Sequence, residues 1–438
     1  MPSRCFLMAL LVVCSDSCQA EQASESKPNI LLILSDDQAW GDYGFMGHPR
    51  IETPSIDRLA RESLTYTRGY VTAPICRPSL ASILTGTACH HHGVTGNDPA
   101  TGDSTIRNSR SRRHQRHHAL HQAIYDRLER LPNLVQLLSD AGYATLQTGK
   151  WWEADPKNFG FSHAMTHGDP KRGARHGDEG LKISRQGIDP IRRFLDEVRE
   201  GEKRPFFIWH APFLPHAPHT PPRDLLEKYR PLAPSEPVAK YWAMCEWFDQ
   251  TCDELLAEID ERELRDSTVV VYVTDNGWIQ DPERAGRYAP RSKQTPFEGG
   301  IRTPIMVRQP DAISSRIDQE TLVSAIDIAP TLLMMAGQTP PPTMSGIDLR
   351  DQAALKARDA VYGAAFPHDI IDVHSPAKGV KSRYVISGQW KLIAYGDPAA
   401  RRELYDLASD PHEERDLARE KTEIVARLTD QLESWWEK

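Results

Sequence analysis

The chain has 438 residues, 39% of them hydrophobic and 26% charged, which is enough for one large globular domain and a smaller one. Its formal net charge of -8 supplies no overall attraction to nucleic acid or to an anionic membrane surface, so neither is expected as a partner.

In chain order, Arg4, an apolar run over residues 5–13 and the small-residue ending Cys18-Gln19-Ala20 predict a signal peptide over residues 1–20. A secreted or periplasmic location follows. The run is shorter than the ~20 residues a membrane helix needs, and no later segment reaches that length. Three of the seven cysteines lie in this peptide. Cys76, Cys89, Cys245 and Cys252 remain, too few for a disulfide scaffold; Cys245 and Cys252, seven apart in a predicted helix, read as core thiols.

Apolar runs rich in Ile, Val and Phe predict strands over 29–34, 144–147, 206–209 and 268–273. Helical patterns over 78–84, 131–141, 189–200, 239–262 and 326–336 alternate with them. This rhythm predicts an α/β fold, with a large, mainly parallel sheet flanked by helices. The stretch Thr339-Pro340-Pro341-Pro342 reads as a linker, dividing a catalytic domain of residues 21–340 from a small α+β subdomain of residues 341–438. That subdomain has strand candidates at 384–387 and 390–394 and a terminal helix from about Glu413. Residues 97–130, rich in Arg and His, read as a basic inserted loop, either a solvated surface segment or an arm for an anionic substrate.

In open α/β sheets ligands bind at the carboxyl ends of strands. The first strand ends in Ser35-Asp36-Asp37-Gln38, and the strand over 268–273 leads into Thr274-Asp275-Asn276-Gly277. Asp36, Asp37, Asp275 and Asn276 form an all-oxygen set suited to a hard divalent cation such as calcium or magnesium. Between them lies Ile75-Cys76-Arg77-Pro78-Ser79, where Pro78 is placed to open a helix and Cys76 to sit at its N-terminus, a position that favours an anion.

Cys76-Arg77-Pro78-Ser79 with Leu84-Thr85-Gly86 resembles the signature of the type I sulfatases of the alkaline phosphatase superfamily, whose cysteine is oxidised to formylglycine. Residues 29–37, Gly149-Lys150-Trp151, 274–277, 293–300 and 403–407 also resemble family segments, in the family's order. The resemblance implies an alkaline phosphatase-like fold and removal of sulfate from a sulfated small molecule or glycan. It implies calcium held by Asp36, Asp37, Asp275 and Asn276, with the modified Cys76 completing the shell. One hydroxyl of the hydrated aldehyde attacks sulfur; the second collapses to the aldehyde and expels sulfate. Lys150, Lys293 and His216 match family residues that contact the sulfate, His216 also as proton donor to the leaving group, and His219 is a neighbouring candidate. A formylglycine-generating or other sulfatase-maturing enzyme is the implied partner.

Two positions depart from the family pattern. Leu80 stands where the family has an arginine that its maturing enzymes recognise, and Trp152 stands where the family commonly has a histidine. Arg77 could substitute in part unless a helix starting at Pro78 turns it away; His90, His91, His92, His163 and His167 are candidates for the missing imidazole. Trp151-Trp152-Glu153 reads either as an aromatic platform for a sugar or as core packing. The loops over 169–178, 288–291 and 364–375 are expected to shape the substrate pocket, with His368, Asp369 and His374 as subsite residues. The competing readings are a phosphodiester or phosphonate ester hydrolase on the same fold and a non-catalytic binder of sulfated glycans.

Overall fold

The computed structural model describes residues 27–100, 110–168, 179–201, 203–396 and 401–437. The predicted signal peptide, the 169–178 loop and residues 101–109 of the basic segment lie outside these.

Strands β1 (Asn29–Ser35), β2 (Leu64–Tyr70), β4 (Ala144–Gly149), β5 (His163–Ala164), β6 (Phe206–Ala211), β7 (Thr268–Thr274), β8 (Arg302–Arg308), β9 (Arg316–Asp318) and β10 (Val323–Ser324) build one sheet. Its order is β10-β2-β8-β7-β1-β6-β4-β5, with β9 also on β2. Pairings are parallel except those of β8, which runs against both β2 and β7. Side chains alternate across the sheet: Ile30, Leu32 and Leu34 enter one core, Leu31 and Ile33 the other. Burial on both faces explains why these strands read as continuous apolar runs.

Helices Pro54–Glu62, Asp189–Glu200 and Glu236–Glu261 cover one face through Ile56, Leu59, Phe194, Phe248 and Leu255. Helices Cys76–Thr85, Arg110–Glu129, Leu134–Asp140 and Ile328–Met335 cover the other through Ile83, Leu84, Leu128, Leu138 and Leu332. Cys76, Cys89, Cys245 and Cys252 are all free and buried. Among the described residues no helix is long and apolar enough to cross a membrane.

The C-terminal part forms an antiparallel sheet of β11 (Val361–Ala365), β13 (Ser382–Ser387), β14 (Trp390–Tyr395) and β15 (Arg402–Asp406), against which helix Thr422–Glu437 packs Leu428 and Leu432. A two-residue bridge, β12 (Asp369–Ile370) on β3 (Asp98–Pro99), ties it to the larger sheet domain.

Three expectations need correction. The basic segment is helical over Arg110–Glu129, not a loop; Ile124, Tyr125 and Leu128 give it a buried stripe that the surrounding charge hides in the sequence. The terminal helix starts at Thr422 rather than near Glu413, because Glu413 is buried in a turn, paired with Lys391 at 2.7 Å and accepting from the Glu298 amide at 2.7 Å. The helix expected from Pro78 starts at Cys76.

Candidate active site

β1, β2, β4, β6 and β7 all run toward one edge of the sheet, and each delivers a candidate residue there. Asp36 and Asp37 follow β1, Cys76 follows β2, Lys150 follows β4, His216 and His219 follow β6, and Asp275 and Asn276 follow β7. Lys293 reaches the same edge from the other direction, on the segment that enters antiparallel β8. The sheet therefore gathers residues separated by more than two hundred positions.

Their contacts are short. Lys150 Nζ donates to Asp36 Oδ1 at 2.6 Å and to Asp275 Oδ2 at 3.4 Å. Lys293 Nζ donates to both Asp37 oxygens, at 2.6 and 2.8 Å, and lies 3.2 Å from Cys76 Sγ. Asn276 Nδ2 donates to Asp37 Oδ1 at 2.7 Å, and the Asp37 amide donates to Asp275 Oδ1 at 3.1 Å. Cys76 Sγ is 3.9 Å from Asp36 Oδ1 and 4.0 Å from Asp37 Oδ1. His216 Nδ1 donates to the Ala217 carbonyl at 2.5 Å, which leaves Nε2 facing Asp37 Oδ2 at 3.3 Å.

Burial sets the electrostatics. It raises the carboxyl of Asp36, and it raises that of Asp275 to about 7 with Asp36 adding to the effect. Asp37 goes the other way: burial opposes its charge, but Lys293, His216 and Lys150 outweigh it and hold the carboxyl at about 2. His216 is pushed down to about 4 by burial, against the pull of Asp37. Burial also pushes the Cys76 thiol far up despite Lys150 and Lys293, so the unmodified side chain is a poor thiolate nucleophile.

The residues fit a hard divalent cation. Ligand atoms of Asp36, Asp37, Cys76 and His216 lie within 4.8 Å of one another. Asp36 Oδ2 and Asn276 Oδ1 are buried oxygens without a hydrogen-bond partner, an arrangement that is costly unless a cation meets them. Three carboxylates against two ammoniums leave unbalanced negative charge, and a dication would convert it to a positive field that attracts an anion. His216 Nε2, 3.3 Å from Asp37 Oδ2, is a nitrogen ligand atom beside these oxygens.

The surroundings explain both departures. Arg77 does not substitute for an arginine at position 80: its Nε and Nη2 donate to Glu153 at 2.6 and 2.5 Å and its Nη1 to the Asn97 carbonyl, with Arg77 only 1% exposed. Trp151 and Trp152 are 3% and 4% exposed, so neither serves as a sugar platform; they are core. The alternative histidines have other tasks. His90 packs on Trp435 and Trp436, with His91 against its ring. His92 contacts Ser82 Oγ, His163 contacts Glu197, and His167 lies 3.7 Å from Asp155.

His219 is set back between Tyr241 and Trp278, both ring nitrogens buried without partners. His368 and Asp369 form an exposed pair at 2.7 Å, and His368 Nε2 is 3.4 Å from Asn97 Nδ2. His374 stays in an exposed turn, its amide donating to Asp372. Tyr288 packs on Trp278, and Arg291 Nη1 donates to the Glu413 carbonyl.

Sequence reasoning missed Arg185, which donates to the carbonyls of Phe213, His216 and Pro218 and to Thr220 Oγ1, holding the loop that carries His216. It also missed Tyr241, whose hydroxyl donates to Asp42 Oδ2 at 2.6 Å and lies 3.2 Å from the Asp37 carbonyl. Neither stands in a pattern that a sequence could reveal.

Residues 28–338 match the family model described as Sulfatase, and residues 286–438 match N-sulphoglucosamine sulphohydrolase, C-terminal. Human N-acetylgalactosamine-6-sulfatase is 29% identical over 351 residues, which cover 72% of this chain but 63% of that protein. N-acetylgalactosamine-6-O-sulfatase of Bacteroides thetaiotaomicron is 22% identical over 98% of this chain and 97% of its own. A solved structure in complex with its substrate D-glucosamine-2-N,6-O-disulfate shares the fold, with a TM-score of 0.69 at 19% identity over 94% of this chain and 98% of that one.

Proposed function

The chain belongs to the sulfatase family of the alkaline phosphatase superfamily, and from that premise we propose that it hydrolyses a sulfate ester on a carbohydrate, using formylglycine derived from Cys76 and a calcium ion held by Asp36, Asp37, Asp275 and Asn276. The observation that carries this reading is a buried cluster of three carboxylates and two ammoniums in which Asp36, Asp37 and Lys293 contact the Cys76 sulfur and Lys150 and Asp275 join through Asp36 and Asp37. When present, the metal supplies Lewis-acid polarisation and the hydrated aldehyde supplies a hydroxyl nucleophile that can later expel sulfate.

The rest is done by the chain itself. Lys150 and Lys293 bind sulfate oxygens and offset charge that develops on them, in a site from which burial excludes bulk water. His216, tied down at Nδ1, is the imidazole placed to move a proton at Nε2 toward a leaving alcohol. His368 and Asp369 are the exposed polar groups at the C-terminal rim that suit contact with sugar hydroxyls. A sulfatase-maturing enzyme would have to reach Cys76 before it is buried, since the folded chain leaves it 1% exposed. Residues 1–20 fit export, which suits an extracellular sulfated glycan as substrate.

Two measurements test the reading. Mass spectrometry of the Cys76 peptide from protein made in its own host is expected to find the aldehyde or its hydrate; unmodified thiol throughout removes the formylglycine route. Turnover of an aryl sulfate is expected to exceed that of a phosphate diester. The reverse order would favour the phosphoester reading, and neither activity would favour a binder.

A further inference from the structure

We propose that Trp152 is a positioning residue: together with Phe213 it cages the Lys150 ammonium and holds it on Asp36 and Asp275. Its catalytic consequence rests on the sulfatase reading; the cage itself rests on geometry. Lys150 Nζ lies 5.0 Å from the centroid of the Trp152 ring and 5.3 Å from that of Phe213 while bonded to the two carboxylates. An ammonium on a four-carbon stem has little directional preference of its own, so ring faces on its open sides restrict where it can point.

The indole is itself fixed. Leu80, Ala81, Leu84 and Trp209 line with it a residual void of about 10 Å³, at the threshold for one water, so the ring has no space into which to swing. The one carboxylate on that void, Glu153, is already taken by Arg77. A guanidinium at position 80 would find the space filled by indole and no free acid. Leu80 and Trp152 line one small void, so a larger side chain at position 80 and the indole at position 152 would compete for the same space beside the caged Lys150.

The test compares Trp152→Phe, which keeps a ring face, with Trp152→Leu, which does not, each with Lys150 intact and in a Lys150→Met background. In thermal unfolding the Phe-to-Leu difference is expected to be larger by about 1–3 °C when Lys150 is present. An equal difference in both backgrounds overturns the cage. Phe213→Leu in the same two backgrounds provides an independent arm should a Trp152 variant fail to fold. With an aryl sulfate, kcat of Trp152→Phe is expected within about threefold of wild type and that of Trp152→Leu about tenfold lower, with KM changing less than kcat. Equal kcat values overturn the positioning role. Wild-type protein without turnover overturns the sulfatase reading instead, and the thermal comparison then decides the cage alone.

Discussion

Replacing Glu153 by Leu should expose how strongly the segment after Cys76 depends on one buried ion pair. Arg77 and Glu153 meet through two parallel bonds of 2.6 and 2.5 Å, their side chains only 1% and 5% exposed. Losing one partner leaves a guanidinium in a low-dielectric interior without its counter-charge, which costs about 3–5 kcal/mol. That is a large share of the roughly 5–15 kcal/mol by which domains are stable. The double variant Arg77→Met/Glu153→Leu removes both charges, and a buried pair exchanged for apolar groups of similar volume costs little or is stabilising. Denaturant unfolding followed by circular dichroism should therefore give a deep loss for Glu153→Leu and recovery of most of it in the double variant. A double variant as unstable as the sum of the two single losses would refute this account of the pair.

Three further outcomes follow from the geometry. Asp275→Ala should abolish calcium binding in a calorimetric titration together with turnover; full activity would show the metal site to be elsewhere. Leu80→Arg should cost about 2–4 kcal/mol in unfolding experiments, because it overfills a void of about 10 Å³ with an unpaired charge, and adding Trp152→His should recover at least half. His92 and His210, whose imidazoles burial pushes down to about 3, should make the fold acid-sensitive. The unfolded chain, at about 6.5, takes up protons that the fold refuses, so their contribution is complete above about pH 6.5 and declines toward pH 3 by about 1.4 kcal/mol per pH unit each. Unfolding midpoints that stay level from pH 7 to pH 5 would contradict this.

The strands were legible because burial on both faces leaves unbroken apolar runs. Their last residues were not: Thr148, Gly149 and Thr274 continue the ladder and are buried, but as polar or side-chain-less residues they give no hydrophobic signal. Asp36, Asp37, Asp275 and Asn276 could be picked out as strand-end oxygens, and Cys76 from the proline two residues on. Lys150, Lys293 and His216 carry no local pattern and were reached through family resemblance alone. Glu153, Arg185 and Tyr241 matter through contacts made across the fold, 76, 31 and 204 positions from the residues they hold, which no window along the chain contains. The Arg110–Glu129 helix stayed hidden because a dense run of basic residues outweighs its narrow apolar stripe.

The reversed direction of β8 has a consequence for how such a chain can diversify. After β1, β2 and β6 the chain leads into helices that lie across the sheet, so a change of length there must be absorbed by packing on both sides of the molecule. The connection from β7 to β8 leaves and returns at one edge. Residues 282–287, the mostly exposed part of this connection, can therefore be lengthened, shortened or replaced as a loop without moving a crossover or a strand register, while buried Trp278 and Ser292, Lys293 and the Asp275-Asn276 turn stay where they are. Divergence in substrate preference is expected to concentrate in this stretch.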